Sequence, residues 1–457
     1  MTVNRSGGRI SRRQFVRAAG AGVAMFTIVP SHVLGGAGRK APSDKLNIAG
    51  IGVGGRGASD IGGVARENIV ALCDVDERRA AKTFKKHSKA KRFRDFRKMF
   101  DRMHKEIDAV VVATPDHTHA VACMAAMRRG KHVYCEKPLA HSIHEIRALR
   151  KAADQYKVIT QLGNQGHSSE RIRQLCEWVW DGAIGEVTEV HASHGVGPKP
   201  GSYCRIRNLR ALKETHAIPK ELDWNLWLGP AQRRAYHRMF VPGAWRGWLW
   251  FGTGCIGDWI CHVVDPAFWA LDLGAPTTVH AQANNYDPRR HAVVYPEGTK
   301  VTYEFPAKGK RGPVRLVWRD GNMVPPHPKH LEEGRSVPAT GAILIGKTGA
   351  IMHGSHGAGG ARIVPESRMR DYKQPDRSIP RTRGHHNDWL DAIRKGKQAG
   401  SNFPNYGGPL AELALLGLIA IRLLGTKLQW DAEKMKFTNC APANRLVNPP
   451  YRYGWKL

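Results

Sequence analysis

The stretch LNIAGIGVGGRG, residues 46–57, decides the fold. Its first half is mostly apolar, as in a buried strand, and its second half satisfies G-x-G-x-x-G at Gly52, Gly54 and Gly57, with Gly55 and Arg56 between them. Glycine lets the backbone turn tightly and lets a pyrophosphate approach the start of a helix, where free N–H groups favour anions. The stretch therefore predicts a strand, a nucleotide-binding turn and a helix.

A second apolar run, ENIVALCD at residues 67–74, ends in a carboxylate. Asp74 follows Gly52 by 22 residues, close to the spacing at which an acidic side chain binds the ribose 2′-hydroxyl of a dinucleotide. A carboxylate there repels a 2′-phosphate, so NAD is favoured over NADP, although Arg78 and Arg79 would weaken the repulsion. The alternative is a glycine-rich turn with an unrelated aspartate.

Strand-like and helix-like segments alternate from this point to about residue 166. Their lengths predict helices at 93–103, 118–129 and 143–156, and strands at IDAVVVATP (107–115), KHVYCEKP (131–138) and VITQLGNQ (158–165). Strands that are apolar throughout are typical of a parallel sheet covered by helices on both faces. The sequence therefore predicts an α/β fold whose residues 45–166 form a doubly wound Rossmann domain.

The remainder of the chain, residues 167–457, reads as a C-terminal α+β domain with a mostly antiparallel open sheet. Strand-like segments are GEVTEVHASH (185–194), TTVHAQAN (277–284), AVVYPE (292–297), KVTYEFPA (300–307), PVRLVWRDG (313–321) and AILIGKTGAIMHG (342–354). Helices are expected at 169–181, 258–271, 386–396 and 409–425. The Trp- and Arg-rich stretch 195–247 has little periodicity and is interpreted as an insertion over a site, and HGSHGAGG (353–360) as a loop.

The N-terminal residues 1–36 have the composition of an export signal. SRRQFVR (11–17) precedes an apolar run from Ala18 to Val29, which is too short for the roughly 20 residues that a membrane-spanning helix needs. The paired arginines resemble a twin-arginine signal, which directs folded proteins out of the cytoplasm, and residues 37–44 would be a linker. We therefore expect a periplasmic or other extracytoplasmic location and no stable membrane span; an amphipathic N-terminal helix is the alternative.

The chain is strongly basic, with a formal net charge of +32. Such an excess suits nucleic acid, an anionic envelope surface, an acidic substrate or simply a basic surface. The positive residues are scattered and no recognised nucleic-acid motif accompanies them, so we favour a basic surface and expect no nucleic-acid partner.

Two groups of residues carry the candidate chemistry. Lys137, in CEKP (135–138), follows a strand of the predicted sheet, where a nearby oxidised nicotinamide would lower its pKa; a surface ion pair with Glu136 is the alternative. Asp258 and His262 lie one helical turn apart, as in an acid–base pair whose carboxylate orients the imidazole. They could also bind a metal, but no third ligand is evident and we predict no metal; a capping aspartate with a packed histidine is the other alternative.

In this order, GVGGRG, Asp74, TPDHTH (114–119), CEKP and GDWICHVVD (257–265) resemble the Gfo/Idh/MocA oxidoreductase family. The resemblance implies a Rossmann domain, a second α/β domain whose open sheet forms homo-oligomers, and redox chemistry on sugars or polyols. It implies that Lys137, Asp258 and His262 are catalytic, with a cis peptide between Lys137 and Pro138. It also implies that the cofactor is lined by Thr114, Pro115, His117 and Glu136.

The function expected from these features is hydride transfer from a sugar or polyol CH–OH group to NAD. His262, or Lys137 through a hydrogen bond, would remove the hydroxyl proton. A protein exported in the folded state would acquire NAD beforehand and hold it tightly. Two alternatives remain: an NAD-dependent glycoside hydrolase that oxidises sugar C3 transiently, and an inactive basic protein that binds anionic envelope polymers.

Overall fold

The computed structural model describes residues 44–197, 203–241 and 243–457. The predicted export signal (1–36) and residues 37–43 of the predicted linker lie outside this part of the chain. Residues Leu46–Leu457 form one compact unit that contains two sheets. The domain boundary expected at residue 166 falls between those sheets and stays a prediction.

The first sheet consists, within the described residues, of six parallel strands in the order β3-β2-β1-β4-β5-β6. The strands are β1 (Asn47–Ile51), β2 (Asn68–Cys73), β3 (Lys91–Phe93), β4 (Ala109–Val112), β5 (His132–Glu136) and β6 (Thr160–Gly163). This is the strand order of a dinucleotide-binding Rossmann sheet. β4 is buried along its whole length, as its uninterrupted apolar sequence predicts.

Within the described chain, five helices cover the sheet, and three of them begin at a capping side chain, namely Asp76, Asp95 or Ser142. The five helices are Arg56–Gly63, Glu77–Lys86, Phe96–Met103, Asp116–Met127 and Ile143–Gln155. The helix expected at residues 93–103 begins instead at Phe96, because Asp95 accepts a hydrogen bond from the backbone N–H of Arg97 and the preceding residues pair as β3. Ser142 and Glu145 form a reciprocal capping box.

The second sheet has nine strands in the described part of the chain, in the order β13-β12-β11-β7-β10-β9-β8-β14-β15. They are β7 (Val187–His194), β8 (Thr278–Asn284), β9 (Gly298–Phe305), β10 (Val314–Asp320), β11 (Gly341–Gly346), β12 (Ala350–Gly354), β13 (Arg362–Val364), β14 (Leu428–Asp431) and β15 (Lys436–Phe437). Only the β7–β10 pair is parallel among the described pairings. The prediction of a mostly antiparallel sheet is therefore confirmed.

The prediction of a strand at AVVYPE (292–297) is wrong. Val294 and Tyr295 form only isolated bridges, and the Tyr295 hydroxyl donates to the backbone oxygen of Gly252 at 2.7 Å. Val294 instead packs in the cluster formed by the Trp-rich segment. Burial against that segment produces the same apolar sequence pattern that an edge strand would show.

The helices of the second half are Glu170–Trp180, Trp224–Leu228, Gly254–Val263, Asp265–Ala270, Glu366–Asp371, His385–Lys395, Gly408–Arg422 and Ala441–Val447. The helix expected at 258–271 is two helices, which break at Val264 just before Pro266. Gly408–Arg422 is buried almost throughout, and its Glu412 accepts two hydrogen bonds from Arg147 at 2.5 and 2.7 Å. Among the described residues no helix combines the length and apolarity needed to span a bilayer.

The described part of the Trp- and Arg-rich segment (195–197, 203–241 and 243–247) packs in an aromatic core that also includes Trp248 and Phe251. The rings of Trp224 and Trp227 stack with centroids 4.8 Å apart, and Phe251 meets Trp227 edge-on at 4.8 Å. Trp248 and Phe251 are completely buried. Aromatic contacts of this kind have no fixed sequence period, which explains why periodicity predicts no structure here.

Candidate active site

The glycine-rich turn joins β1 to the helix Arg56–Gly63. Gly52 has a φ of +77°, and its N–H donates to the backbone oxygen of Cys73 at 2.8 Å. A Cβ on Gly57 would lie 1.8 Å from the oxygen of Gly52, which no side chain tolerates. These two positions therefore require glycine, and the bare backbone leaves an open approach to the start of the helix.

Asp74 braces this turn from the end of β2. Its carboxylate accepts hydrogen bonds from the N–H groups of Val53 (2.8 Å), Gly54 (3.1 Å) and Asp76 (2.9 Å). Burial raises the pKa of Asp74 while these three bonds act in the opposite direction. The carboxylate has about four acceptor positions, so a ribose hydroxyl could use the one that remains; that role stays a prediction.

A cleft of about 180 Å³ runs from this turn to the end of β5. Eight of the residues predicted for the site line it: Gly52, Gly54, Arg56, Asp74, Thr114, Pro115, Glu136 and Lys137. The other five predicted site residues are not among the residues that line the cleft: Gly55 and Gly57, which belong to the turn, and His117, Asp258 and His262. Arg79 also lines the cleft, beside Gly54 and Gly55.

His117 does not face the cleft, contrary to what the resemblance implies. It is buried, with Nδ1 3.2 Å from the oxygen of Phe251 and Nε2 3.0 Å from the oxygen of Trp227. Burial lowers its pKa to about 3. Each nitrogen faces a backbone oxygen and the neutral ring donates to one of the two, so His117 ties the TPDHTH helix to Trp227 and Phe251.

Glu136 pairs with Arg56 and Gln165 in the wall of the cleft and not with Lys137. It accepts hydrogen bonds from Arg56 Nε at 3.1 Å and Gln165 Nε2 at 2.5 Å. Burial and the neighbouring Asp60 raise its pKa to about 7, against the opposing effect of Arg56. The ion pair between Lys137 and Glu136 that the sequence left open is therefore not what the structure shows; Glu136 positions Arg56.

Lys137 contacts Asp258, which lies 121 residues later in the chain. Its Nζ donates to the backbone oxygen of Asp258 at 2.9 Å and to the carboxylate, and the Lys137–Pro138 peptide is cis as expected. Arg246 Nε donates to the same carboxylate at 3.2 Å. The hydroxyl of Tyr203 also donates to it. Burial alone would raise the pKa of Asp258, but Lys137 and Arg246 hold it well below its usual range.

The expectation that the Asp258 carboxylate orients the His262 imidazole does not agree with the contacts of the two side chains. The Asp258 carboxylate is bound by Lys137, Arg246 and Tyr203, whereas the buried His262 Nδ1 has no partner among the described residues. The two side chains share a helix face, but the cations draw the carboxylate away from the imidazole. Burial, then Lys137, lowers the pKa of His262 well below its ordinary value, so the ring is neutral at pH 7.

Sequence reasoning missed three residues at this centre. Tyr203 and Arg246 come from the aperiodic Trp- and Arg-rich segment, and nothing in their local sequence marks them. His356 lies in the HGSHGAGG stretch and stacks on His262 with ring centroids 4.1 Å apart. Its two histidines among glycines were the available signal, since glycine-rich loops allow close backbone approach.

One group of potential metal ligands, Glu214, His216 and His237, lies in the described part of the Trp-rich segment. His237 Nδ1 accepts a hydrogen bond from the N–H of Met239 at 3.1 Å, and its Nε2 lies 3.0 Å from the oxygen of Ala211. Both nitrogens are thus occupied, and this arrangement does not favour a metal.

A dinucleotide fits the residues present at the cleft. Gly52 and Gly57 leave the backbone bare at the start of a helix of eight residues, and the same cleft holds Arg79, which suits an anionic ligand. The carboxyl ends of β1, β4 and β5 meet here, which is where parallel α/β sheets bind ligands.

Comparisons with known proteins agree with this architecture. Residues 46–164 match the oxidoreductase family "NAD-binding Rossmann fold", and residues 173–309 and 347–457 match the "C-terminal alpha/beta domain" of the same family. Inositol 2-dehydrogenase of Salmonella typhimurium is 29% identical over 191 residues, 40% of this chain and 54% of that protein. Levoglucosan dehydrogenase of Pseudarthrobacter phenanthrenivorans is 25% identical over 197 residues, 43% of this chain and 40% of that protein. The chain thus spans about half the length of the curated relatives it matches.

Two solved structures share the fold. Aldose-aldose oxidoreductase from Caulobacter crescentus, complexed with glycerol, has a TM-score of 0.55 at 18% identity and covers 84% of this chain and 100% of its own. An inositol dehydrogenase homolog from Azotobacter vinelandii, complexed with NADH and myo-inositol, has a TM-score of 0.54 at 15% identity and covers 84% and 98%. Both family matches together extend over most of the described chain, and the protein therefore belongs to the Gfo/Idh/MocA family of oxidoreductases.

Proposed function

We propose that the chain is an NAD-dependent oxidoreductase that exchanges a hydride between nicotinamide and a CH–OH group of a sugar or polyol. The observation that carries the proposal is the Lys137–Asp258 pair at the end of the cleft that begins at Gly52 and Asp74. The relatives named above, which are dehydrogenases of inositol and levoglucosan, support the substrate class.

Bound NAD would supply the hydride acceptor. The turn at Gly52–Gly57 would hold its pyrophosphate, Asp74 its ribose, and Thr114, Pro115 and Arg56 the walls near its reactive end. Asp74 favours NAD over NADP, because a carboxylate at the ribose repels a 2′-phosphate.

The protein side chains divide the proton chemistry. Lys137 is held by two hydrogen bonds to Asp258, which leave one Nζ hydrogen for a substrate oxygen, and His262 is a neutral imidazole with an unused buried nitrogen. His262 would take the hydroxyl proton, while Lys137 would stabilise the negative charge that develops on the oxygen. Asp258, braced by Arg246 and Tyr203, would orient Lys137 instead of His262.

The test is hydride transfer with a panel of sugars and polyols that includes myo-inositol, levoglucosan and glucose. Substituting Lys137→Met should lower kcat by about 100-fold or more and leave nucleotide affinity nearly unchanged. Lys131→Met, at the other end of β5, is the matched control and should keep wild-type turnover. Failure of every substrate, or full activity of Lys137→Met, would overturn the proposal.

Release of the aglycone from an aryl glycoside without net NADH would identify the glycoside hydrolase instead. Binding of anionic polymers without any turnover would identify the inactive alternative.

The export signal supports a second part of the proposal, that the enzyme works outside the cytoplasm with tightly held NAD. The SRRQFVR motif at residues 11–17 suits export after folding, and a protein that leaves the cytoplasm has little free nucleotide to exchange. Mass spectrometry of the protein purified from its export compartment should find one nucleotide per chain. Self-association through the second sheet is also expected, and light scattering would measure it.

A further inference from the structure

The imidazole of His262 lacks the hydrogen-bonded carboxylate that usually orients a catalytic histidine. Asp258 is held by two cations and a tyrosine, and His262 Nδ1 has no hydrogen-bond partner in the described chain. A base whose ring can rotate loses the geometry that proton transfer needs. Something other than a carboxylate must therefore fix the plane of this ring.

The segment Ser355–Gly360, between β12 and β13, reaches the ring from the second sheet. Its backbone is in the left-handed region at His356 (φ 54°), Gly357 (φ 88°) and Ala358 (φ 61°). Left-handed backbone at His356 and Ala358 is uncommon for residues other than glycine and persists only where surrounding contacts impose it. The conformation is therefore held by something outside the segment.

The contacts that hold the segment come from the end of the first sheet. Ser169 Oγ donates to the oxygen of Gly357 at 2.7 Å. A Cβ on Gly166 would lie only 2.2 Å from the nitrogen of Gly357, so the two backbones are in direct contact. His356 is thus fixed relative to β6, the strand that pairs with β5, and Lys137 directly follows β5.

His356 lies flat against His262. The ring centroids are 4.1 Å apart with an interplanar angle of 21°, and Trp259 meets the two rings edge-on at 5.9 and 5.5 Å. Ser355 Oγ lies 2.9 Å from His356 Nδ1 and steadies the outer ring. His356 is exposed, whereas His262, on which it stacks, is buried.

We propose that His356 is a positioning residue for the reaction, which holds the His262 imidazole by ring stacking and keeps water from it. The proposal rests on the proposed function, because it assigns His262 the role of proton acceptor. His356 is not among the residues that line the cleft, and the hydrogen bonds described for Lys137 go to Asp258 and not to His356.

This role has a signature in the pH dependence of catalysis. Burial, Lys137 and His356 lower the pKa of His262, and Asp258 acts in the opposite direction while Arg56 adds to the lowering. Since the neutral ring is the base, wild-type kcat/KM should fall only as the pH drops through this lowered value. Without the His356 ring, water reaches His262 and a like-charged neighbour is lost. The pH at which kcat/KM falls on the acid side, the acid limb of the pH–rate profile, should therefore move up toward about 6.5.

Two substitutions separate the ring from the backbone. His356→Asn keeps a residue that accepts left-handed backbone but removes the aromatic face, whereas His356→Phe keeps the face. We expect His356→Asn to lower kcat by about 10- to 100-fold and to raise the acid limb. His356→Phe should recover most of kcat and leave the limb closer to that of the wild type.

The assay uses full-length protein, NAD and the best substrate of the wild-type panel, with nucleotide affinity and thermal unfolding measured for each variant. Equal activity and equal acid limbs in the wild type and His356→Asn would overturn the proposal. So would a loss in His356→Phe as large as that in His356→Asn, because the backbone and not the ring would then matter. An inactive wild type would refute the proposed function instead, which keeps the two failures distinct.

Discussion

Replacing Asp258 by asparagine removes the charge on which Lys137, Arg246 and Tyr203 converge. Arg246 Nε lies 3.2 Å from the carboxylate, and at an effective dielectric constant of about 20 two unit charges at that distance attract by about 5 kcal/mol before desolvation. Removing one partner leaves two cations without a counter-charge at a mostly buried site, and such losses cost about 3–5 kcal/mol. We expect the free energy of unfolding of Asp258→Asn to fall by that amount.

The loss should also have a defined pH dependence. Although burial would raise the pKa of Asp258, Lys137 and Arg246 lower it below its ordinary 3.8. A lowered carboxyl pKa contributes stability that is complete above the unfolded value and disappears only as the pH falls through the folded one. The difference between wild type and Asp258→Asn should therefore stay constant from about pH 7 down to about pH 5 and shrink only in stronger acid.

Urea unfolding at several pH values measures this difference, and the hydride-transfer assay measures turnover in parallel. Asp272→Asn is the matched control, because Asp272 pairs with Lys308 at 2.7 Å on the exposed surface. Its loss should stay within about 1 kcal/mol. If Asp258→Asn is no less stable than Asp272→Asn and turns over at the wild-type rate, the reasoning about the buried pair is refuted.

Three further predictions concern Gly57 in the glycine-rich turn, Glu136 in the cleft wall and Tyr203 beside Asp258. Gly57→Ala should weaken NAD binding at least about tenfold in a fluorescence titration, because its Cβ would lie 1.8 Å from the Gly52 oxygen and force the turn open. Burial and Asp60 raise the pKa of Glu136 from 4.5 to about 7, so the wild type should lose stability as the pH rises from about 4.5 to about 7; thermal unfolding of Glu136→Gln should lack that fall. Tyr203→Phe should lower the free energy of unfolding by about 1.5–3 kcal/mol in urea, through loss of the bond to Asp258.

The first sheet could be predicted from sequence because its determinants are local. β4 is apolar throughout, and the glycines that the turn requires stand together at residues 52–57. The second sheet was predicted less well. AVVYPE reads as a strand because Val294 is buried, but the surface that buries it belongs to a segment with no readable period.

In the site, too, residues in local motifs could be predicted from sequence, whereas contacts between distant segments could not. Lys137 and Asp258 lie in recognisable motifs, and the structure brings them together across 121 residues. The partner of the Asp258 carboxylate was assigned wrongly, because helical spacing places His262 on the same face but says nothing of Arg246 arriving from another segment. His356 could not be assigned from its loop, since its function depends on how Gly166 and Ser169 hold that loop in three dimensions.

The central claim is that NAD bound against the glycine-rich turn reacts beside Lys137. The most direct measurement is transient NADH formation with a sugar or polyol, compared between wild type and Lys137→Met at saturating nucleotide. The account predicts NADH in the wild type, a rate reduced by about 100-fold or more in Lys137→Met, and equal nucleotide binding by both proteins. NADH formation at the same rate in both proteins, or no nucleotide binding by either, would contradict it.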